Sequence, residues 1–432
     1  MARIAIIADD LTGASDTGVQ FARKGLRTRV LFGAEAVDGA GATAVVIDTD
    51  SRAIQPGEAR ERVRRAACQV REAGFEHVFK KIDSTLRGNL GQEIDGILSE
   101  LKVDLAVVAP AFPKLGRTTV GGRHLLRGLP LEETEIARDP KCPVRESQIE
   151  RLLASQASRR TGRVDLSVVR DGSAALLAAL EGLVAAGVEV AVIDAEVDAD
   201  LQCIAWTVAH SGRRVLWVGS AGLADFLPEA LELGVQPFQE PCLGESGRPV
   251  MLVAGSISPT TREQALLVSQ QPGFTTVELD PLAVLGSDPE SEFSRCAAQL
   301  EGALAAGRDL VLVSGSAPEQ VAAAQALGTS RGLSPTAVSD TIAAGMGEVA
   351  ARIIRHHRLD GAVLTGGDTA KAVCRRLGAT GLEVLKELEP GVPLSRLTGG
   401  AELLAVTKAG AFGTPMTLLR ALYALKGAEL KP

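Results

Sequence analysis

Short apolar runs alternate with stretches of helical spacing over most of the chain. Ile4 to Ala8 is apolar at every position, the pattern of a strand buried on both faces. Asp9 and Asp10 end it, Thr12 and Gly13 turn the chain, and Ala14–Arg23 has helical periodicity. Further strands are predicted at Thr28–Phe32, Thr43–Ile47, His77–Ile82, Val103–Ala109, Val190–Ile193 and Val215–Val218. Between them, Pro56–Ala73, Gly91–Leu101, Ser173–Ala186 and Ala199–His210 predict helices, with Pro56 in a first turn that needs no N–H. Such alternation implies parallel strands joined by crossover helices. Pro110 to Pro143, rich in Gly, Pro and Arg, breaks the rhythm and reads as a functional loop or an insertion.

A second set follows. Val250–Ala254, Thr275–Leu279, Leu310–Ser314 and Ala362–Thr365 predict strands; Thr260–Ser269, Glu290–Ala306, Glu319–Leu327 and Ala337–His356 predict helices. Leu403–Val406 adds a strand and Pro415–Ala424 a closing helix. The aperiodic, Pro-containing stretch between the sets reads as a linker. The expected organisation is two α/β domains, residues 1–233 and 250–432 joined by linker 234–249, each a mainly parallel sheet flanked by helices, with the active site in the interdomain cleft.

Composition narrows the classes. The 432 residues are ample for two cores, and 46% apolar with only 3% aromatic residues suits an Ala/Val/Leu/Gly-rich α/β enzyme. A net charge of -7 argues against a nucleic-acid partner. The six cysteines contain no C-x-x-C pair and the five histidines no H-x-x-x-H spacing, which argues for reduced thiols and against a zinc site. Asp9 and Asp10 interrupt the N-terminal apolar run, and no run is long enough to span a bilayer. A cytoplasmic protein without membrane partners is expected, and self-association into a homodimer is compatible with it.

The chemistry gathers at predicted strand ends. Asp9 and Asp10 would repel a bare phosphate but suit a hydroxyl that needs an acceptor or base; the bland reading is a helix cap, which needs one carboxylate, not two. After the strand at 77–82 come Lys81, Asp83, Ser84, Arg87 and Asn89, with Arg87 offering a fork for a carboxylate. Asp48 to Arg52 repeats this chemistry after another strand. Acids for hydroxyls and guanidinium for a carboxylate match a small polyhydroxylated acid. Lys114 and Arg117 follow a fourth strand, and Gly219 to Leu223 forms a small-residue turn that reads equally as an anion site or as tight packing.

The second half carries three Gly-rich turns, Ala254 to Ser258, Leu364 to Thr369 and Lys408 to Gly413, each before a helix. Singly, each is a plain helix entry; together they suggest a phosphate cradle on backbone N–H groups. No Walker A, G-x-G-x-x-G or protein-kinase loop is present. An alcohol beside a carboxylate in one domain and phosphates in the other describe phosphoryl transfer, with Asp10 or Asp9 orienting or deprotonating the hydroxyl. Mg²⁺ is expected with ATP, Asp368 being one contact; the metal ligands are otherwise unassigned.

In Asp9 to Ala14, Lys81 to Gly88, Pro110 to Pro113, Gly219 to Leu223, Thr365 to Thr369 and Lys408 to Gly413, taken in order, the sequence resembles the four-carbon acid sugar kinase family. The resemblance implies an ATP-dependent kinase acting on the terminal hydroxyl of a tetronate, with an N-terminal sugar-acid domain and a C-terminal nucleotide domain. With the strand-end chemistry above, substrate contacts are expected at Asp9, Asp10, Thr12, Arg52, Lys81, Asp83, Ser84 and Arg87, with Asp9, Asp10 and Arg87 catalytic. ATP contacts fall on Ser256 and Ser258, on Gly366, Gly367, Asp368 and Thr369, and on Gly410. Ile257 stands where the family often has Cys, and Ala409 and Ala411 where it often has Ser and Asn. The stretch Glu135 to Ser147 resembles the D-threonate branch, making D-threonate the first substrate, with erythronate, L-threonate and 3-oxo-tetronate as alternatives. A cytosolic sugar-acid sensor without catalysis is the reading from a different class; a nucleotide-dependent oxidoreductase is disfavoured by the missing dinucleotide fingerprint.

Overall fold

The structure, a computed structural model, describes residues 2–33, 37, 41–139, 141–234 and 247–428. Contacts divide the chain into two compact units, Met1–Gln239 and Glu240–Pro432. Most of the stretch 234–249 read as a linker, and Cys242 with it, lies outside the described residues.

In the first unit the strands run in the order Thr28–Phe32, Ala44–Asp48, Ile4–Ala8, His77–Lys81, Val215–Gly219, Leu105–Ala109, Val190–Ile193 and Thr161–Val164, each parallel to its neighbours. Every residue of the strands Ile4–Ala8, Ala44–Asp48 and Leu105–Ala109 is buried, as expected of a sheet covered on both faces. Ala5, Ile7, Val45, Ile47, Val78 and Val218 share one core with the helices Pro56–Glu72, Leu90–Leu98 and Ile149–Gln156. Helix Leu11–Arg23 starts three residues before the predicted Ala14, because Asp10 itself caps it.

The irregular stretch 110–143 is more ordered than its composition suggested. Arg117–Val120 and Arg123–Leu126 pair antiparallel, with Leu129–Pro130 as a third short strand and 3₁₀ turns on either side.

The second unit has parallel strands ordered Phe274–Leu279, Asp309–Ser314, Val250–Ala254, Gly361–Thr365 and Leu404–Lys408, extended by antiparallel Val392–Thr398 and Gly381–Glu389. The antiparallel hairpin was not predicted. Its period-two alternation is diluted by Glu383, Lys386, Glu387 and Glu389, and six of the nine residues of Gly381–Glu389 are partly exposed. None of the described helices is long and apolar enough to cross a membrane, and among the described residues the cysteines are free.

Candidate active site

The turns after the first and third strands of the chain are zipped together by backbone. Thr49 N–H donates to Ala8 O at 2.9 Å, and the Ser51 and Arg52 N–H groups donate to Asp9 O at 2.9 and 3.2 Å. This brings Arg52 over the acid pair. Its Nε and Nη2 donate to Asp9 at 2.7 and 3.0 Å, and its Nη1 and Nη2 to Asp10 at 2.9 and 2.7 Å; Asp83 lies 3.5 Å from Nη1. Burial alone would raise the Asp9 carboxyl, but the Arg52 guanidinium holds it below the usual carboxylate range. Asp10 is the more open of the pair, its side chain 22% exposed against 3% for Asp9. It also caps its helix, accepting the Gly13 N–H at 2.8 Å, so the bland and the chemical readings both apply to it.

The second strand-end turn uses its acids and guanidinium on one another. Arg87 donates twice to Asp83, both at 2.9 Å, and once to Asp139 at 3.0 Å. Burial opposes the charge on Asp83, yet Arg87, Arg52 and the Thr85 hydroxyl hold its carboxyl well below the ordinary range. Asn89 braces this turn to its neighbour by donating to Ser51 O and Ile54 O at 3.0 Å each. Leu86 sits at φ 58° and Asp50 at φ 49°, a left-handed backbone that side chains disfavour. The hydroxyls of Thr12 and Ser84 make no hydrogen bond among the described residues.

Behind the second turn, buried His124 fixes the Ser84 carbonyl. Nε2 lies 2.9 Å from Ser84 O and must donate to it, so Nδ1 accepts from Thr119 Oγ1 at 2.9 Å. Burial pushes this imidazole down to about 4. Unfolded, it titrates near 6.5, so between pH 6.5 and 4 the unfolded chain binds a proton that the folded chain does not. Stability should therefore fall as pH drops through that window, by up to about 3 kcal/mol at its lower end. Urea denaturation from pH 7 to 4 checks this: His124→Gln should show a shallower decline, and an equal one places the proton elsewhere.

Two adjacent lysines on strand His77–Lys81 go to opposite faces, as strand alternation dictates. Lys80, fully buried, pairs with Glu93 at 2.7 Å, and Glu93 also accepts the Ser51 hydroxyl at 2.6 Å. Lys81 lies on the other face, close to Gly13 of helix Leu11–Arg23. It is 3% exposed, and its ammonium has no hydrogen bond or ion pair among the described residues. Arg117, named in the sequence beside Lys114, adds a partly buried guanidinium whose Nε is unpartnered; burial pulls its pKa down and Asp83 opposes this. Lys114 is paired with Asp225 at 2.8 Å. The Gly219 to Leu223 turn is tight packing: Ser220 caps it through Gly222 N–H, and a Cβ at Gly222 would lie 2.5 Å from Ala111 O.

In the second unit the three Gly-rich turns converge. A Cβ on Gly410 would overlap the Ser256 hydroxyl and lie 3.2 Å from Ser258 Cβ, one on Gly255 would overlap the Thr369 side chain, and one on Gly366 would meet Ser256 at 3.4 Å. Gly366 sits at φ 97°, a conformation that favours glycine. The helices Pro259–Ser269 and Gly367–Arg376 that leave these turns have no side-chain cap, whereas Asp288 and Ser334 cap two other helices of this unit. Uncapped N–H groups at two helix starts beside a corner of glycines and small hydroxyl side chains fit an anionic phosphate chain. Asp368 lies in the first turn of the second of these helices. Among the described residues no three His, Cys, Asp or Glu side chains cluster to hold a metal; Mg²⁺ carried by phosphates asks only for one or two carboxylates.

Comparison with known proteins agrees from end to end. A sugar-binding N-terminal domain family matches residues 4–227, and a nucleotide-binding C-terminal domain family matches residues 251–418. A D-threonate kinase of Salmonella typhimurium is 36% identical over 426 residues, 98% of each chain. A D-erythronate kinase of Heliobacterium modesticaldum is 37% identical over 423 residues, 96% of this chain and 94% of that one. A crystal structure of a Salmonella typhimurium LT2 protein superposes with a TM-score of 0.82 at 27% identity, covering 98% of this chain and 99% of that one. With both halves matched and relatives aligned over nearly the whole length, the chain belongs to the four-carbon acid sugar kinase family.

Proposed function

We propose that the chain is an ATP-dependent kinase that phosphorylates the terminal (4-) hydroxyl of a four-carbon sugar acid, D-threonate first, with erythronate, L-threonate and 3-oxo-tetronate as alternatives. The observation that carries the reading is the meeting of three glycine turns at two uncapped helix starts in the second unit. The acid and cation cluster at the strand ends of the first unit supplies the acceptor side.

The roles follow from exposure and pairing. Asp10, half turned to solvent, accepts the proton of the reacting hydroxyl. Asp9 is buried and holds Arg52 in place through two hydrogen bonds. The forks of Arg52 and Arg87 are filled by carboxylates, so the unpaired Lys81 ammonium is the group that receives the anionic end of the substrate. Thr12 and Ser84 offer free hydroxyls to its alcohols, and Arg52, Asp83 and Arg87 shape the pocket. Backbone N–H groups at Ser256 and Ile257, Gly367 to Thr369 and Gly410 cradle the phosphates. Mg²⁺ would sit against Asp368, where it supplies charge neutralisation for the phosphate oxygens.

ADP release across a panel of D- and L-threonate, D- and L-erythronate and their oxo forms tests the function. Turnover of one tetronate is expected; binding of a tetronate without any ADP formation would replace the kinase by a sensor. Lys81→Met should raise KM for the acid about ten- to a hundredfold, the loss of one charge-assisted contact, with KM for ATP little changed. An unaltered acid KM removes Lys81 from substrate binding.

A further inference from the structure

Beneath the nucleotide corner lies a buried cation, the lysine that opens the last glycine turn. Lys408 ends the strand Leu404–Lys408 and is 3% exposed. Its Nζ is surrounded by Ala409 O at 2.8 Å, Phe412 O at 3.0 Å, Gly410 O at 3.1 Å and Thr261 Oγ1 at 3.3 Å. Three peptide carbonyls and a hydroxyl, with no carboxylate, are the ligand set of a monovalent cation. A trans peptide is planar, so its C=O and N–H point in opposite directions. Carbonyls of Ala409, Gly410 and Phe412 drawn down onto the ammonium therefore turn the N–H groups of Gly410, Ala411 and Gly413 away from it. Those three N–H groups make no hydrogen bond among the described residues.

We infer that Lys408 is a positioning residue acting as a tethered monovalent cation, which holds the last glycine turn so that its N–H groups face the nucleotide phosphates. The inference rests on the nucleotide reading of this corner. Other contacts tie the same cage to both neighbouring turns. Lys408 O accepts the Gly366 N–H at 3.0 Å, the Thr261 hydroxyl donates to Gly410 O at 2.8 Å, and buried Gln264 donates to Phe412 O and Thr414 O at 3.2 and 2.6 Å. Burial lowers the Lys408 pKa to about 8, which leaves it charged at neutral pH. Because Ala409 and Ala411 bring no polar side chain, this turn grips anions by backbone alone, and its geometry depends on what holds the carbonyls.

Titration calorimetry with ATP and ADP, together with steady-state kinetics, tests the inference on the full chain. Lys408→Met should raise KM for ATP about tenfold or more and leave KM for the sugar acid within about twofold. Lys408→Ala, which opens the space of the side chain, should be partly restored by ammonium or ethylammonium chloride and not by sodium chloride. An unchanged ATP KM, or a loss shared by both substrates with no response to ammonium, overturns the inference. If both Lys408 variants fail to fold, Thr261→Val decides: a selective rise in ATP KM supports the cage, and none overturns it. Wild-type protein that binds neither ATP nor ADP would instead overturn the nucleotide reading itself.

Discussion

Asp10→Asn should lower kcat by about 10²- to 10⁴-fold, the usual contribution of a positioned base, with the fold intact. The substitution is clean because Asn is as good an N-cap as Asp. The amide oxygen can still accept the Gly13 N–H now held at 2.8 Å, and one donor of Arg52. What disappears is the negative charge that takes the proton. A thermal melt within a few degrees of wild type, beside kinetics with the best tetronate of the panel, separates chemistry from stability. Near-normal turnover would remove Asp10 from the base role.

Arg52→Met should be the most damaging single change to stability in the first unit. Arg52 makes four hydrogen bonds to Asp9 and Asp10 and an ion contact with Asp83. Removing it strips the buried Asp9 carboxylate of its hydrogen-bonded counter-charge, leaving only the weaker influence of Lys80 and Lys81, and takes one of two guanidinium partners from Asp83, a loss of about 3–5 kcal/mol, or a midpoint drop on the order of 10 °C. The pH dependence gives a second readout. In the wild type, Asp9 and Asp83 have depressed pKa values, so their stabilisation is present above about 3.8 and lost below it. Without Arg52, Asp9 loses the largest influence that lowers its carboxyl, Lys80 and Lys81 remaining, and its pKa rises. The variant then has less carboxylate stabilisation to lose as pH falls, and the gap to wild type measured in urea should narrow between pH 7 and 4.5. A gap that stays constant would mean that Arg52 is not the counter-charge of Asp9.

The strands were legible because a strand buried on both faces must be apolar throughout, as Ile4–Ala8 and Leu105–Ala109 are. The chemistry was legible for a related reason: polar residues directly after such runs have few other purposes. What the chain does not display is which polar groups satisfy one another. Arg87 was read as a fork for a ligand carboxylate, and its fork is filled by Asp83 and Asp139. His124 was overlooked, and Arg117 was weighed only against a plain loop, because their hairpin lies in a stretch whose Gly and Pro content mimics a loop. Thr261 and Gln264 lie inside a helix, so only the three-dimensional arrangement reveals that they serve the Lys408 turn 147 to 150 residues away.

The divergence of Lys80 and Lys81 makes the character of the pocket a matter of parity. Residues of a strand face alternate sides, so removing or adding one residue early in His77–Lys81 would exchange the two destinations. An added residue would set Phe79 against Glu93 in place of its counter-ion and send Lys80 to the pocket face, whereas a removed one would set Lys81 against Glu93 and leave the pocket face to Ile82. A length change of two residues would preserve the facing, whereas a length change of one would not. Length changes in this strand, which lies between Ile4–Ala8 and Val215–Gly219, should therefore be tolerated only in even steps.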